Sequence, residues 1–290
     1  MAVRVDHAVI NVLTGMDAAV ERFRALGFAP TPRGYHSLGS INHLMMFERD
    51  YLELVGIEPG ATKVREEVAS APIGLNGLVF ATDDARALHR RLRAQGVPVL
   101  DPVDFSRPVM VDGVEREAAF TTVRVHPDYV PGGRVYYCEH KTPELVWRPE
   151  WLAQRNGSDG LAEFVVVAQD LPTQAERYAR LLDGAVFVPA AGEGEVFAAW
   201  DGFRLSLMSR ERYDARYGTA GCARAARDGD CMGALALRTH SLAAARACLA
   251  DDLRAGRAVD HGDRLTVAAA GLWDCVLEFV GPRPGASDRA

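Results

Sequence analysis

The chain has 290 residues, of which 48% are hydrophobic and 25% charged, and a formal net charge of −6; this describes a globular protein too long for one hydrophobic core, so two domains are expected. The acidic balance and the lack of a basic run argue against nucleic acid as a partner, since phosphate binding needs a basic face. No stretch approaches the roughly 18 to 20 apolar residues of a membrane span, and the opening MAVRVDHAVI has no leader-like apolar region, so the expected location is the cytoplasm, with no membrane partner. Five cysteines without C-x-x-C spacing read as reduced thiols rather than a zinc knuckle or a disulfide framework.

In chain order, VDHAVINV alternates like a half-buried strand, and TGMDAAVERFRALG supplies a helix. Thr14 is its expected cap, Val20, Phe23 and Leu26 its apolar stripe, and Gly27 its terminator. Short alternating stretches around GFAPTPRG, INHLMMFE and YLELVG then read as antiparallel strands. The pattern recurs as LNGLVFAT with DDARALHRRLRAQG, as LAEFVVVA with QDLPTQAERYARLLDG, and as MGALALRT with HSLAAARACLADDLRAG. His7, Gly77, Glu163 and Gly233 fall in one column, with the helix-ending glycines 19 to 23 residues later. YLELVG closes unit one with Glu53, TPELVW is read as closing unit two with Glu144, FRLSLM closes unit three, and VLEFVG closes unit four with Glu278.

One such unit leaves an apolar sheet face and two edges bare, so units must pair. The expected fold is therefore α+β, four βαβββ modules in two domains, 1–150 and 160–284, joined by the turn-rich RPEWLAQRNGSDG, with a disordered tail from Pro282.

DHAVINV, GSINHLMMFERDYLELVG and YYCEHKTPELVWRPEW make the chain resemble the vicinal oxygen chelate superfamily, and more narrowly its glyoxalase-like domain proteins. The resemblance implies glyoxalase/bleomycin-resistance-like domains, in which two modules curl into an open barrel around a cavity. It also implies a divalent metal held by first-strand and last-strand residues; a neutral imidazole ligand suits zinc, manganese, nickel or iron.

His7 stands where the family often places its first-strand ligand, and alternation puts it on a face with Val5 and Val9. Glu53 and Glu144 are candidate ligands and candidate catalytic carboxylates; the alternative is that they are structural partners of arginines. Gly77 offers no donor where metal-using relatives commonly carry histidine, so a replacement is sought in His140, Glu139 or His43. The expected metal set is thus His7, Glu53, Glu144 and His140. Asn42 and His43 are candidate substrate contacts, one of them facing the cavity, because strand neighbours point to opposite sides. The second domain offers Glu163 and Glu278 without histidine and is expected to be degenerate.

The resulting expectation is a divalent-metal-dependent lyase or isomerase acting on a small oxygenated substrate. A dioxygenase has less support, since its triad needs two histidines. The alternative is a metal-free protein that sequesters a small molecule, which Gly77 and Gly233 favour by enlarging a cavity while removing ligands. A small molecule is the expected partner, and a homodimer is compatible with the sequence.

Overall fold

The computed structural model describes residues 3–227 and 229–281; the expected tail from Pro282, and with it the boundary at 284, lies outside the described residues. The first half runs β1 (Arg4–Leu13), α1 (Met16–Ala25), β2 (Gly34–Tyr35), β3 (Ile41–Met46), β4 (Tyr51–Gly56), α2 (Glu66–Ala69), β5 (Gly74–Ala81), α3 (Ala85–Ala94), β6 (Val103–Val111), β7 (Val114–Arg124) and β8 (Arg134–His140). The second runs β9 (Ser158–Val167), α4 (Leu171–Leu181), β10 (Val188–Pro189), β11 (Glu195–Trp200), β12 (Phe203–Met208), α5 (Arg210–Tyr217), α6 (Ala223–Arg227), β13 (Cys231–Thr239), α7 (Leu242–Cys248), α8 (Ala250–Arg254), β14 (Ala258–Asp260), β15 (Arg264–Val267) and β16 (Val276–Val280).

These strands form two eight-stranded sheets of one topology, β2-β3-β4-β1-β5-β8-β7-β6 and β10-β11-β12-β9-β13-β16-β15-β14. Each is two βαβββ modules joined antiparallel through their first strands, β1 to β5 and β9 to β13, so the α+β reading of four paired modules holds. The first sheet curls until its edges meet, Ser37 N–H donating to Ser106 C=O at 2.9 Å. The hollow lies on the concave side. On the other side Ala8, Ile10 and Val12 pack with α1 and with residues of the second sheet in one continuous core. Phe28 and Phe279 meet across that core at 5.9 Å between centroids, and Arg22 holds Asp252 at 2.8 Å.

Local chemistry explains most of the elements and corrects two. Asp84, Asp170 and Ser241 cap α3, α4 and α7 with side-chain oxygens. Thr14 does not cap α1. Gly15 takes that place, after a tight turn in which Gly15 N–H donates to Val12 C=O at 2.8 Å.

The second correction concerns Glu144. The strand that closes module two is RVYYCEH, and it ends at His140. TPELVW beyond it is a 3-10 turn over Pro143–Leu145, because proline has no N–H for a ladder and suits the first position of a helical turn. In register, Val9 pairs with Glu53 and Val79 pairs with Tyr136. Tyr136, not Glu144, is therefore the module-two counterpart of Glu53. The residues that separate them in sequence are absorbed by the long β6–β7 hairpin. The linker is not a loose tether either. Gln154 donates to Met46 C=O at 3.0 Å and Asn156 to Leu26 C=O at 2.9 Å.

Candidate functional site

A β-bulge builds the site. The β1–β5 register slips between Val5 and His7, so Asp6 is an extra residue and the alternation of faces breaks there. Val5 packs in the core behind the sheet, while His7 joins Val9 on the concave side. This corrects the expectation that Val5, His7 and Val9 share a face. The bulge brings Asp6, a sequence neighbour of His7, into reach of its ring.

His7 Nδ1 lies 2.6 Å from Asp6 Oδ2. The ring stacks on Tyr51 at 4.3 Å between centroids, 13° from parallel. With Nδ1 tied to a carboxylate, Nε2 is left to the cavity, 3.5 Å from Glu53 Oε2 and 3.3 Å from Tyr136 Oη. Asn42 Nδ2 donates to Glu53 Oε1 at 2.7 Å and lies 3.2 Å from His36 Nε2. Arg65, Arg107, Phe105, Thr122 and Cys138 are among the other residues in the wall of a cavity of about 30 Å³, enough for a small group.

Burial opposes the charge on Asp6, but the charges and hydrogen bonds of His140 and His7 outweigh it and hold the carboxyl well below the usual range. Glu53 is lowered in the same way, with His7, His36, the Asn42 amide and Arg65 overcoming burial. Enclosure drives His36 down to about 3 in spite of Glu53, so it is neutral. Burial pushes the Tyr136 hydroxyl and the Cys138 thiol up, so both keep their protons.

The expected site residues separate into two groups. His7, Glu53 and Asn42 converge on the cavity. His43 faces away, its Nδ1 2.6 Å from Thr31 C=O and its Nε2 accepting from Arg33 at 3.4 Å. His140 lies behind His7, its Nε2 3.0 Å from Asp6 Oδ2. It lines a neighbouring open pocket of about 500 Å³ together with Cys138 and the exposed Glu144. The two histidines are thus joined by Asp6, and Glu144 does not reach the His7–Glu53 cavity. Sequence reasoning missed Asp6, Tyr136, His36 and Arg107. Counting the register of YYCEH would have found Tyr136; nothing in the sequence signals the bulge that turns Asp6 inward.

Two groups of donors could hold a metal. His7 Nε2 and Glu53 Oε2, 3.5 Å apart, suit two ligands sharing one ion at about 2.0 to 2.2 Å each. The Asp6 carboxylate behind His7 matches the support that metal-bound histidines receive. Asp6, Cys138 and His140 form a second group, with donor atoms all within 4.8 Å of one another. There the Asp6 oxygen Oδ2 already serves both imidazoles. The first pair therefore fits better.

The corresponding place in the second sheet borders a wide pocket of about 750 Å³ lined by Glu163, Arg204, Arg212, Arg216 and Arg264, with no histidine in its wall among the described residues. Glu163 and Glu278 are both held by Arg216 at 2.7 Å, and Tyr217 Oη donates to Glu278 at 3.1 Å. The register slips between Met232 and Ala234, so Ala234, not Gly233, is the residue opposite Val165.

A sequence profile described as a glyoxalase-like domain matches residues 5–182. No curated protein matches the chain. Among solved structures, a hypothetical protein from Staphylococcus aureus is similar at TM-score 0.66 and 10% identity, covering 97% of this chain and all of that one (100%). A variant of 4-hydroxymandelate synthase from Streptomyces coelicolor is similar at TM-score 0.59 and 17% identity, over 99% of this chain and 94% of that one. A xylose isomerase-like TIM barrel/4-hydroxyphenylpyruvate dioxygenase fusion protein gives TM-score 0.59 and 14% identity, over 100% of this chain and 51% of that one. At these identities the likeness shows the fold alone. Among the described residues no helix is long and apolar enough to cross a membrane.

Proposed function

The chain belongs to the glyoxalase-like domain family of the vicinal oxygen chelate superfamily, and from that premise we propose an enzyme that moves a proton on a small oxygenated molecule, a lyase or isomerase, with a divalent metal at His7 and Glu53. The observation that carries this reading is the meeting of Glu53 Oε2 with Nε2 of an Asp6-bound His7 at 3.5 Å on one cavity wall. A metal bound there would act as a Lewis acid toward a substrate oxygen, making a neighbouring C–H more acidic.

The protein's own residues supply the rest. Glu53 is ionised at neutral pH, and Asn42 fixes one of its oxygens. The other, Oε2, is the oxygen that would hold the metal beside His7, and it could take a proton from substrate only when not bound to the ion. Asp6 holds the His7 tautomer, Tyr51 holds its plane, and Tyr136 offers a hydroxyl proton to an oxygen that gains charge. The chemistry falls to residues 1–150, with 160–284 as a supporting half whose acids are ion-paired.

A second reading, metal-free binding of a small molecule, is favoured by one observation: Arg65 and Arg107 line the same cavity and repel a dication. Elemental analysis separates the two. The enzyme reading expects near-stoichiometric metal after reconstitution with zinc, manganese, nickel or iron, lost in His7→Ala. Wild-type protein that stays metal-free through all four reconstitutions leaves the binding reading.

A further inference from the structure

We propose that Arg107 is the anchor for an anionic group, a carboxylate or phosphate-type oxyanion, on the molecule that enters the His7–Glu53 cavity. The inference rests on that cavity being a ligand site, as in the proposed function, and not on a metal being there.

Arg107 lies in the middle of β6, where the curled edges of the first sheet meet. It is 4% exposed, and its Nη2 is buried without a hydrogen-bond partner. A buried guanidinium left in that state is costly, and native proteins rarely keep one without a partner to come. Nearby carboxylates do not satisfy it. Glu53 faces the same cavity, but it has no ion pair with Arg107; its Oε1 accepts from Asn42 and its Oε2 lies beside His7. Arg65, the other cation in the wall, differs in having an ion-pair partner, Glu67 at 2.8 Å, which it shares with Arg124.

A second observation points the same way. Thr122 Oγ1, on β7 and 2% exposed, lines the same cavity and is likewise buried without a partner. Arg107 can only donate, and Thr122 can donate alongside it. The complementary ligand group is an acceptor with two or more oxygens and a negative charge, which the planar guanidinium fork grips in two places.

The chain also makes room for the arginine. A Cβ at Gly34 would come within 3.0 Å of Arg107 Cδ and 2.3 Å of Asn42 Oδ1, so β2 passes over the side chain at a glycine. That packing positions the stem and leaves the charged end unsatisfied. With about 30 Å³ of space, the anionic head must be small.

The test uses the full chain, treated with chelator, in thermal-shift and calorimetric titrations. The probes are acetate, oxalate and inorganic phosphate, with acetamide and matched chloride as neutral and ionic-strength controls. At least one oxyanion is expected to stabilise the protein and titrate near one per chain. Arg107→Met should weaken that binding at least tenfold and Arg107→Lys less. Without ligand, Arg107→Met should melt at or above the wild-type temperature, since it removes an unpaired buried charge. Oxalate or acetate alone would identify a carboxylate, and phosphate alone a phosphoryl group. The proposal is overturned if no oxyanion exceeds the controls, or if both Arg107 variants bind as wild type does. A low melting temperature for Arg107→Met with undiminished binding by Arg107→Lys also overturns it, by assigning a structural role. His7→Ala separates the two claims: it should lose metal and keep the oxyanion, so failure of either leaves the other standing.

Discussion

Asp6 and His7 are adjacent in sequence, yet their side chains meet on one side of β1, Oδ2 to Nδ1 at 2.6 Å, because the strand bulges between Val5 and His7. The contact fixes which ring nitrogen carries the proton. Asp6→Asn removes the carboxylate and can present an N–H to Nδ1, which would place the His7 proton on the cavity-facing Nε2. A metal titration of the variant should show affinity lower by about 10 to 100-fold, the usual effect of losing such a partner. Unchanged affinity would mean that His7 is not a ligand.

The two donor groups make opposite forecasts. If the ion sits between His7 and Glu53, then His7→Ala and Glu53→Gln each lower bound metal while Cys138→Ala leaves it unchanged. If it sits among Asp6, Cys138 and His140, the Cys138 variant loses metal and Glu53→Gln does not. Elemental analysis after reconstitution and desalting reads either outcome.

Glu144 is exposed in the turn beyond β8 and borders the open pocket rather than the inner cavity. Glu144→Gln should leave metal content, oxyanion binding and melting temperature at wild-type values, because an exposed carboxylate away from such features changes stability by about 0.5 kcal/mol at most. A loss of metal in this variant would restore it to the site.

That case shows where the sequence stops being legible. Module repetition was visible because every unit repeats a strand, a capped helix and a glycine, which are local features. The two-sheet architecture followed because a single unit cannot cover its own face. Position within the site depends instead on register. One proline at 143 turns an apparent closing strand into a helical turn and transfers the Glu53-equivalent place to Tyr136. One extra residue at Asp6 sets its carboxylate beside the His7 ring. His43 and Asn42 were legible as a pair with one facing inward, but choosing between them required the pairing of Leu44 with Glu53, which sets β3 against β4. Arg107 carries no signal at all until β6 is seen meeting β2.

Asp50, between β3 and β4, accepts from Leu161 N–H at 3.0 Å across the two halves, and burial pushes its pKa up to about 7. Its unfolded value is near the usual ~3.9. Between these values the folded state binds more protons than the unfolded state, so this group lowers stability progressively as pH rises from about 4 to about 7, with no further change above. Asp50→Asn keeps the acceptor for Leu161 and removes the titration. The variant should match wild type near pH 4 and gain a melting-temperature advantage that grows to pH 7 and then levels off. An advantage independent of pH would show that Asp50 titrates normally.

Gly77 explains why module two has no first-strand ligand. It lies directly across from Val9 on β1, and a Cβ there would sit 2.8 Å from Val9 Cβ and 2.9 Å from Val9 Cγ2. Neither contact can persist, and both belong to the backbone-proximal part of a fully buried strand, where little can give. The missing histidine is therefore a packing consequence as much as a chemical one. Gly77→Ala should cost about 1 to 3 kcal/mol, the range for overpacking a well-filled interior, read from urea denaturation. Val9→Gly placed in the same chain should recover part of that cost, because it removes the atoms in conflict, and the two substitutions should be non-additive as contacting residues are. Gly77→His is expected to weaken folding without adding a third ligand to His7 and Glu53. Additive costs in the double variant would show that β1 and β5 separate freely, and the closeness of Gly77 to Val9 would then not be what keeps a histidine out.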